Sequence, residues 1–225
     1  MSAILKRGTC YILLPLVAIS LLQGCHTAKK MDVFIAEQYN NELPKPDKKK
    51  NPDITVNSSI PSDPVKISVT ETKTSNLLPL IVYWHYDYRH TCTLNPAIAV
   101  ANFRKTINQQ ANKLTQKLNG QQLELNVEQV PGGFAIVDKE NFLLFIHWNR
   151  MYVEPDAKDL IVSYKVLQNG NQTKSGKITI RSKQQDQGIR FAQSWKSSTS
   201  EFLGRYNVDV ADMSKNFVNK LIEEL

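Results

Sequence analysis

The chain has 225 residues, with 28 Lys and Arg against 21 Asp and Glu, a formal net charge of +7. Hydrophobic residues make up 41% and charged residues 22%, which excludes a wholly disordered chain and a multi-span membrane protein. Nine glycines without a period exclude a collagen-like repeat, and three cysteines exclude a disulfide-dense scaffold.

The chain opens with Lys6 and Arg7, then an almost unbroken apolar run over residues 11–22, and the first acidic residue is Asp32. A basic start followed by a short apolar stretch is the layout of an export signal. The run is too short to span a ~30 Å hydrocarbon core, which needs about 20 apolar residues, and Pro15 interrupts it. It ends in Leu22-Gln23-Gly24-Cys25. That sequence resembles the lipobox of bacterial lipoproteins: a branched apolar residue, a variable one, a small one, then Cys. The resemblance implies a signal peptide over 1–24, cleavage before Cys25, and lipidation of Cys25 with diacylglycerol and an N-acyl chain. Several acyl chains, at ~0.8 kcal/mol per buried methylene, hold such a protein firmly on a membrane. His26 stands where an Asp retains lipoproteins in the inner membrane of enterobacteria, so the same resemblance implies an outer-membrane location facing the periplasm.

Residues 25–76 read as the lipidated cysteine and a flexible tether. They hold Pro44, Pro46, Pro52, Pro61 and Pro64, the run Lys48-Lys49-Lys50, and many Asn, Ser and Thr. Such a composition buries too little apolar surface to offset chain entropy. The lysine run is either a contact for anionic lipid or glycan carboxylates, or part of a solvated spacer. Alternation over residues 65–69 leaves room for one short strand.

From residue 77 to 225 the texture is that of a folded domain. An aromatic strand leads, with Val82, Trp84, Tyr86 and Tyr88 on one face. Asn95-Pro96 supplies a cap and a first-turn proline, and Val100, Phe103, Ile107, Ala111, Leu114 and Leu118 form one helical stripe. Asn119-Gly120 stops it. Leu123, Leu125 and Val127 alternate with Glu124, Asn126 and Glu128 as in a half-buried strand. Pro131-Gly132-Gly133 turns the chain. Residues 142–153 are apolar on both faces, the pattern of a central strand. Two further strands, over residues 159–167 and 177–181, flank a hairpin connection containing Asn169-Gly170. The tail predicts two helices, over residues 188–203 and 209–225. This order predicts an α+β two-layer sandwich, helices packed on one face of a four- to five-stranded sheet. The order is similar to that of the lipopolysaccharide-assembly lipoproteins that plug an outer-membrane barrel, a resemblance of element order that rests on no residue motif.

The densest chemistry lies in Trp84-His85-Tyr86-Asp87-Tyr88-Arg89-His90-Thr91-Cys92. His85, Asp87, His90 and Cys92 are ligand types for a metal, or the start of a ligand or enzyme site with His147. Against this stands an aromatic strand with a polar end and a buried structural thiol. The sequence has no Cys-x-x-Cys, His-Glu-x-x-His, Gly-x-Ser-x-Gly or phosphate-loop motif, so no cofactor is implied. Trp148, Arg150 and Tyr152 share a strand face and suit a glycan, a partner, or a covering helix. Residues 77–225 hold 18 basic and 14 acidic side chains, a mild balance that with an export signal argues against nucleic acid. The sequence thus supports a membrane-anchored, non-enzymatic binding or assembly module of the cell envelope. The alternative is a periplasmic enzyme or small-ligand or metal binder using residues 84–92.

Overall fold

The computed structural model describes residues 28–41, 51–61, 71–78, 83–190 and 193–225. The lipobox, His26, the lysine run and the alternating residues 65–69 lie outside these. Among these residues, four helices and nine strands form an α+β sandwich around one hydrophobic core. In chain order they are α1 (Ala28–Ile35, continued by a π-helical turn Ala36–Asn40), β1 (Ile54–Ser58), β2 (Glu71–Leu78), β3 (Tyr83–Thr93), α2 (Pro96–Gln109) and α3 (Ala111–Leu118). Then come β4 (Gln122–Gln129), β5 (Gly133–Leu143), β6 (Ile146–Pro155), β7 (Leu160–Gln168), β8 (Asn171–Ile180), β9 (Gln187–Gly188) and α4 (Trp195–Glu224).

The strands divide into two sheets, ordered β1-β4-β7-β8 and β2-β3-β5-β6-β9, where the sequence order predicts a single sheet of four to five strands. All pairings are antiparallel except β1 with β4. The chain passes from β4 in one sheet to β5 in the other through Pro131-Gly132-Gly133. A Cβ on Gly133 would sit 2.2 Å from the Cys92 carbonyl oxygen, so only glycine admits this close approach of β5 to β3.

The helical stripe folds as its spacing predicts. Asn95 caps α2 by accepting from the Ala97 amide at 3.0 Å, with Pro96 in the first turn. All six stripe residues are buried, although the helix breaks at Gln110 into α2 and α3. Asn119, with φ 47°, closes α3 in the left-handed conformation. Leu123, Leu125 and Val127 are fully buried.

Three expectations are corrected. First, the described parts of residues 25–76 are packed structure. Met31, Ile35 and Tyr39 recur every four residues, lie on one face of α1 and its extension, and are buried in the core. Ile54 is buried on β1, and the boundary expected at residue 77 falls inside β2. Proline and lysine elsewhere in the segment mask this stripe in an average over composition. Second, residues 142–153 are not a buried central strand. They form the turn and outgoing arm of the β5–β6 hairpin, with Leu144 at φ 53° in the turn and residues 146–150 exposed. Third, the tail is one helix of 30 residues, capped by Ser194 accepting from the Ser197 amide at 3.2 Å. Asp209 lies within it and accepts instead from Ser182 Oγ at 3.3 Å. The Asn169-Gly170 turn, with φ 53° and 80°, joins β7 directly to β8 as a two-residue hairpin, so β8 begins six residues earlier than expected.

Candidate functional site

Strand alternation decides where the residues of the 84–92 segment go. Across β3, β5 and β6, Trp84, Phe142 and His147 occupy one cross-strand row, and His85, Asn141 and Trp148 the next. Successive rows face opposite ways. Trp84, Tyr86, Tyr88, His90 and Cys92 therefore share the face on which α1 and α4 pack, while Tyr83, His85, Asp87 and Arg89 share the open face. The four candidate ligands are split between the two faces, and His147 lies on the face opposite His85.

On the open face, His85 Nδ1 lies 2.8 Å from Asn141 Oδ1, and His85 Nε2 lies 3.1 Å from Asp87 Oδ2. The Asn141 contact and then the Asp87 carboxylate raise the His85 pKa above its ordinary value. Acceptors at both ring nitrogens favour the imidazolium, which has no lone pair for a metal. On the covered face, His90 and Cys92 are fully buried. The Cys92 thiol contacts Met31 Sδ at 3.5 Å, and burial, then the Asp32 charge, pushes its pKa far up. A thiol so placed stays protonated and is a poor nucleophile. Among the described residues, no group of three or more His, Cys, Asp or Glu side chains is placed to hold a metal ion. Two grooves, of about 870 and 650 Å3, are lined by the π-helical turn after α1, by α2 and α4 and by loop residues, and by none of His85, Asp87, His90, Cys92 or His147.

One further titratable group sits on the covered face. Asp138 pairs across the sheet with Tyr88 and Met151 and is 8% exposed. Its Oδ1 is buried without a hydrogen-bond partner among the described residues. Burial, and then the Glu140 charge, raises its carboxyl pKa to about 6, while His147 acts the other way.

The feature that sequence reasoning missed is the far end of the five-stranded sheet. Toward the chain turn between β5 and β6, the strands run past the helices. Phe145 is 98% exposed, and Leu144, Ile146, Trp148 and Phe142 are also exposed. The Trp84 ring stacks on Tyr86 at 5.6 Å and leans on Phe142 at 6.3 Å, and Phe142 stacks on His147 at 4.7 Å. On the other face Trp148 shares its side of β6 with Arg150 and Tyr152, where the Arg150 guanidinium lies 5.5 Å from the Tyr152 ring centroid. Among the described residues no helix covers this patch, the alternative considered for it from sequence. Its signal in the sequence is the density of apolar residues over 142–148, which pattern alone assigns to burial.

Comparison with protein-family models, curated proteins and solved structures finds no match to the chain. Among the described residues, no helix is long and apolar enough to cross a membrane.

Proposed function

We propose that the chain is a lipid-anchored module of the cell envelope that works by binding or assembly rather than by catalysis. Cys25 is the lipid-bearing residue, His26 directs the protein to the outer membrane, and the folded body faces the periplasm. The observation that carries this reading is the unshielded end of the β2-β3-β5-β6 sheet, with Phe145 98% exposed among other exposed apolar side chains. Contiguous apolar surface of this kind marks a contact site. The dispersal of His85, Asp87, His90, Cys92 and His147 over two sheet faces supports it against the enzyme or metal-site alternative.

Two measurements test it. Metabolic labelling with a fatty-acid probe should mark the wild type and not Cys25→Ala; equal labelling of both sinks the anchor. A strain lacking the protein should be complemented by His85→Asn and Cys92→Ala but not by Phe145→Ser combined with Trp148→Ser. The reverse pattern, in variants that fold, transfers the function to the 84–92 segment.

A further inference from the structure

The start of α1 lies on the side of the helical layer where α4 begins, which is the side toward the apolar sheet end. The Tyr206 hydroxyl donates to the Pro131 carbonyl at 2.8 Å, and one helical turn earlier Phe202 packs on Phe134 at 4.7 Å. Moving toward the start of α4 therefore moves along β5 from Pro131 toward the hairpin turn. The segment entering α4 agrees, because the Ile189 amide donates to the Met151 carbonyl, one strand over from Asp138. α1 runs alongside α4 in the same sense: Tyr39 meets Tyr206 at 5.7 Å between ring centroids, and Phe34 meets Trp195 at 5.3 Å. α1 thus begins on the hairpin side of its own axis, although Met31, one turn after Ala28, still touches Cys92, nine rows or about 30 Å from the Leu143–Ile146 pair. Cys25 is three residues before Ala28, a span of at most about 10 Å.

From this we infer that the β5–β6 turn dips into the lipid bilayer that holds the Cys25 anchor, as a second membrane contact. The inference rests on the lipoprotein reading above. The order of side chains along the hairpin fits a bilayer interface. Leu144, Phe145 and Ile146 form the apex. Tyr83 shares the Leu143–Ile146 row, and Trp84, Phe142, His147 and Trp148 stand in the next two, where aromatic rings suit the headgroup level. Lys139 and Arg150 face each other four rows from the Leu143–Ile146 pair, about 13 Å along the strands. Their long side chains can reach phosphates from there. Glu140 and Asp87 lie nearby and offset these charges, so apolar burial rather than charge drives the contact. The turn stays near the boundary between headgroups and acyl chains, because irregular backbone is not tolerated within the hydrocarbon itself. A short link between anchor and body makes the second contact effectively intramolecular.

The test uses the full chain processed in cells, purified and reconstituted on phosphatidylethanolamine–phosphatidylglycerol vesicles. An environment-sensitive fluorophore is placed at Phe145→Cys and, for comparison, at Val208→Cys, an exposed position on α4. Cys92 is buried, and labelling of the wild type gives the background. The Phe145→Cys probe should shift to the blue and be quenched by lipids brominated in the acyl chain, at low and high salt alike, while the Val208→Cys probe does neither. A Phe145→Cys probe that stays water-like on vesicle-bound, fatty-acid-labelled protein overturns the inference and leaves the lipoprotein reading intact. A blue shift without lipid quenching assigns the turn to a protein partner or second copy and also overturns it. Quenching at Phe145→Cys in protein that takes up no fatty-acid label sinks the anchor alone, and absence of both label and vesicle binding sinks both.

Discussion

β5 and β6 each run through two environments. At the Phe134–Pro155 end, Phe134 is 1% exposed beneath Phe202, Ile136 and Val153 are fully buried, and Cys92 completes the layer. At the Leu143–Ile146 end, side chains just as apolar stand in the open. The strands and the hydrogen-bond ladder are the same, and only the helical cover differs. Apolar density therefore marks where strands run, but burial is decided by whether a second layer reaches that far. The covered end uses its apolar side chains for stability, and the open end has them free for contact.

The sharpest way to break this comparison is to truncate one aromatic at each end. Phe134→Ala should cost about 3–5 kcal/mol, the range for a buried Phe cut to Ala. Phe145→Ala should change stability by no more than about 0.5 kcal/mol, as exposed substitutions do. Chemical denaturation of the two variants checks this, and equal losses would mean that the open end is folded against something in the isolated protein. Next in size, Met31→Ala should lose about 2–5 kcal/mol, because Met31 is fully buried against Cys92. A neutral Met31→Ala would restore the tether reading for α1.

Much of the covered end was legible in the sequence. The Asn95-Pro96 cap, the stripe from Val100 to Leu118, the Asn119 stop and the alternation from Leu123 to Val127 each couple a residue type to a local conformation, and each appears where its chemistry puts it. What failed depends on tertiary cover. The Met31, Ile35, Tyr39 stripe is one short face in a polar segment, and it folds because α4 and β3 offer it a partner surface. The run over residues 142–148 looks buried in any one-dimensional reading, since no local signal tells where the helices end. For the candidate site, alternation alone already put His85 and Asp87 on one face and His90 and Cys92 on the other. Which of those faces the helices cover is a property of the whole fold.

A middle-sized effect lies where cover thins out, at Asp138. Its carboxyl ionises near 3.8 in the unfolded chain, and in the folded chain burial raises this to about 6. Between those values the folded state binds more protons than the unfolded state. Stability therefore falls as pH rises through this window and is level above it. Asp138→Asn should flatten that slope and stabilise the protein at pH 7 by about 1–2 kcal/mol, since nearby solvent screens part of the buried charge. Melting curves from about pH 4 to about pH 8 would show it. A wild-type profile that rises over the window would mean that Asp138 is solvated or paired.

The smallest effect is expected on the open face. Arg89 reaches across β5 to Glu154 with two hydrogen bonds, of 2.6 and 3.0 Å, and the two side chains are 45% and 33% exposed. The bidentate geometry favours the pair, whereas water and salt screen it. A double-mutant cycle of Arg89→Ala with Glu154→Gln should give a coupling of about 0.2–1 kcal/mol. That coupling should shrink toward zero near 1 M salt, where the screening length is about 3 Å. A coupling above about 2 kcal/mol that ignores salt would show that this face is as desolvated as the helix-covered one. The distinction between a stability end and a contact end would then have to be redrawn along a boundary beyond Arg89.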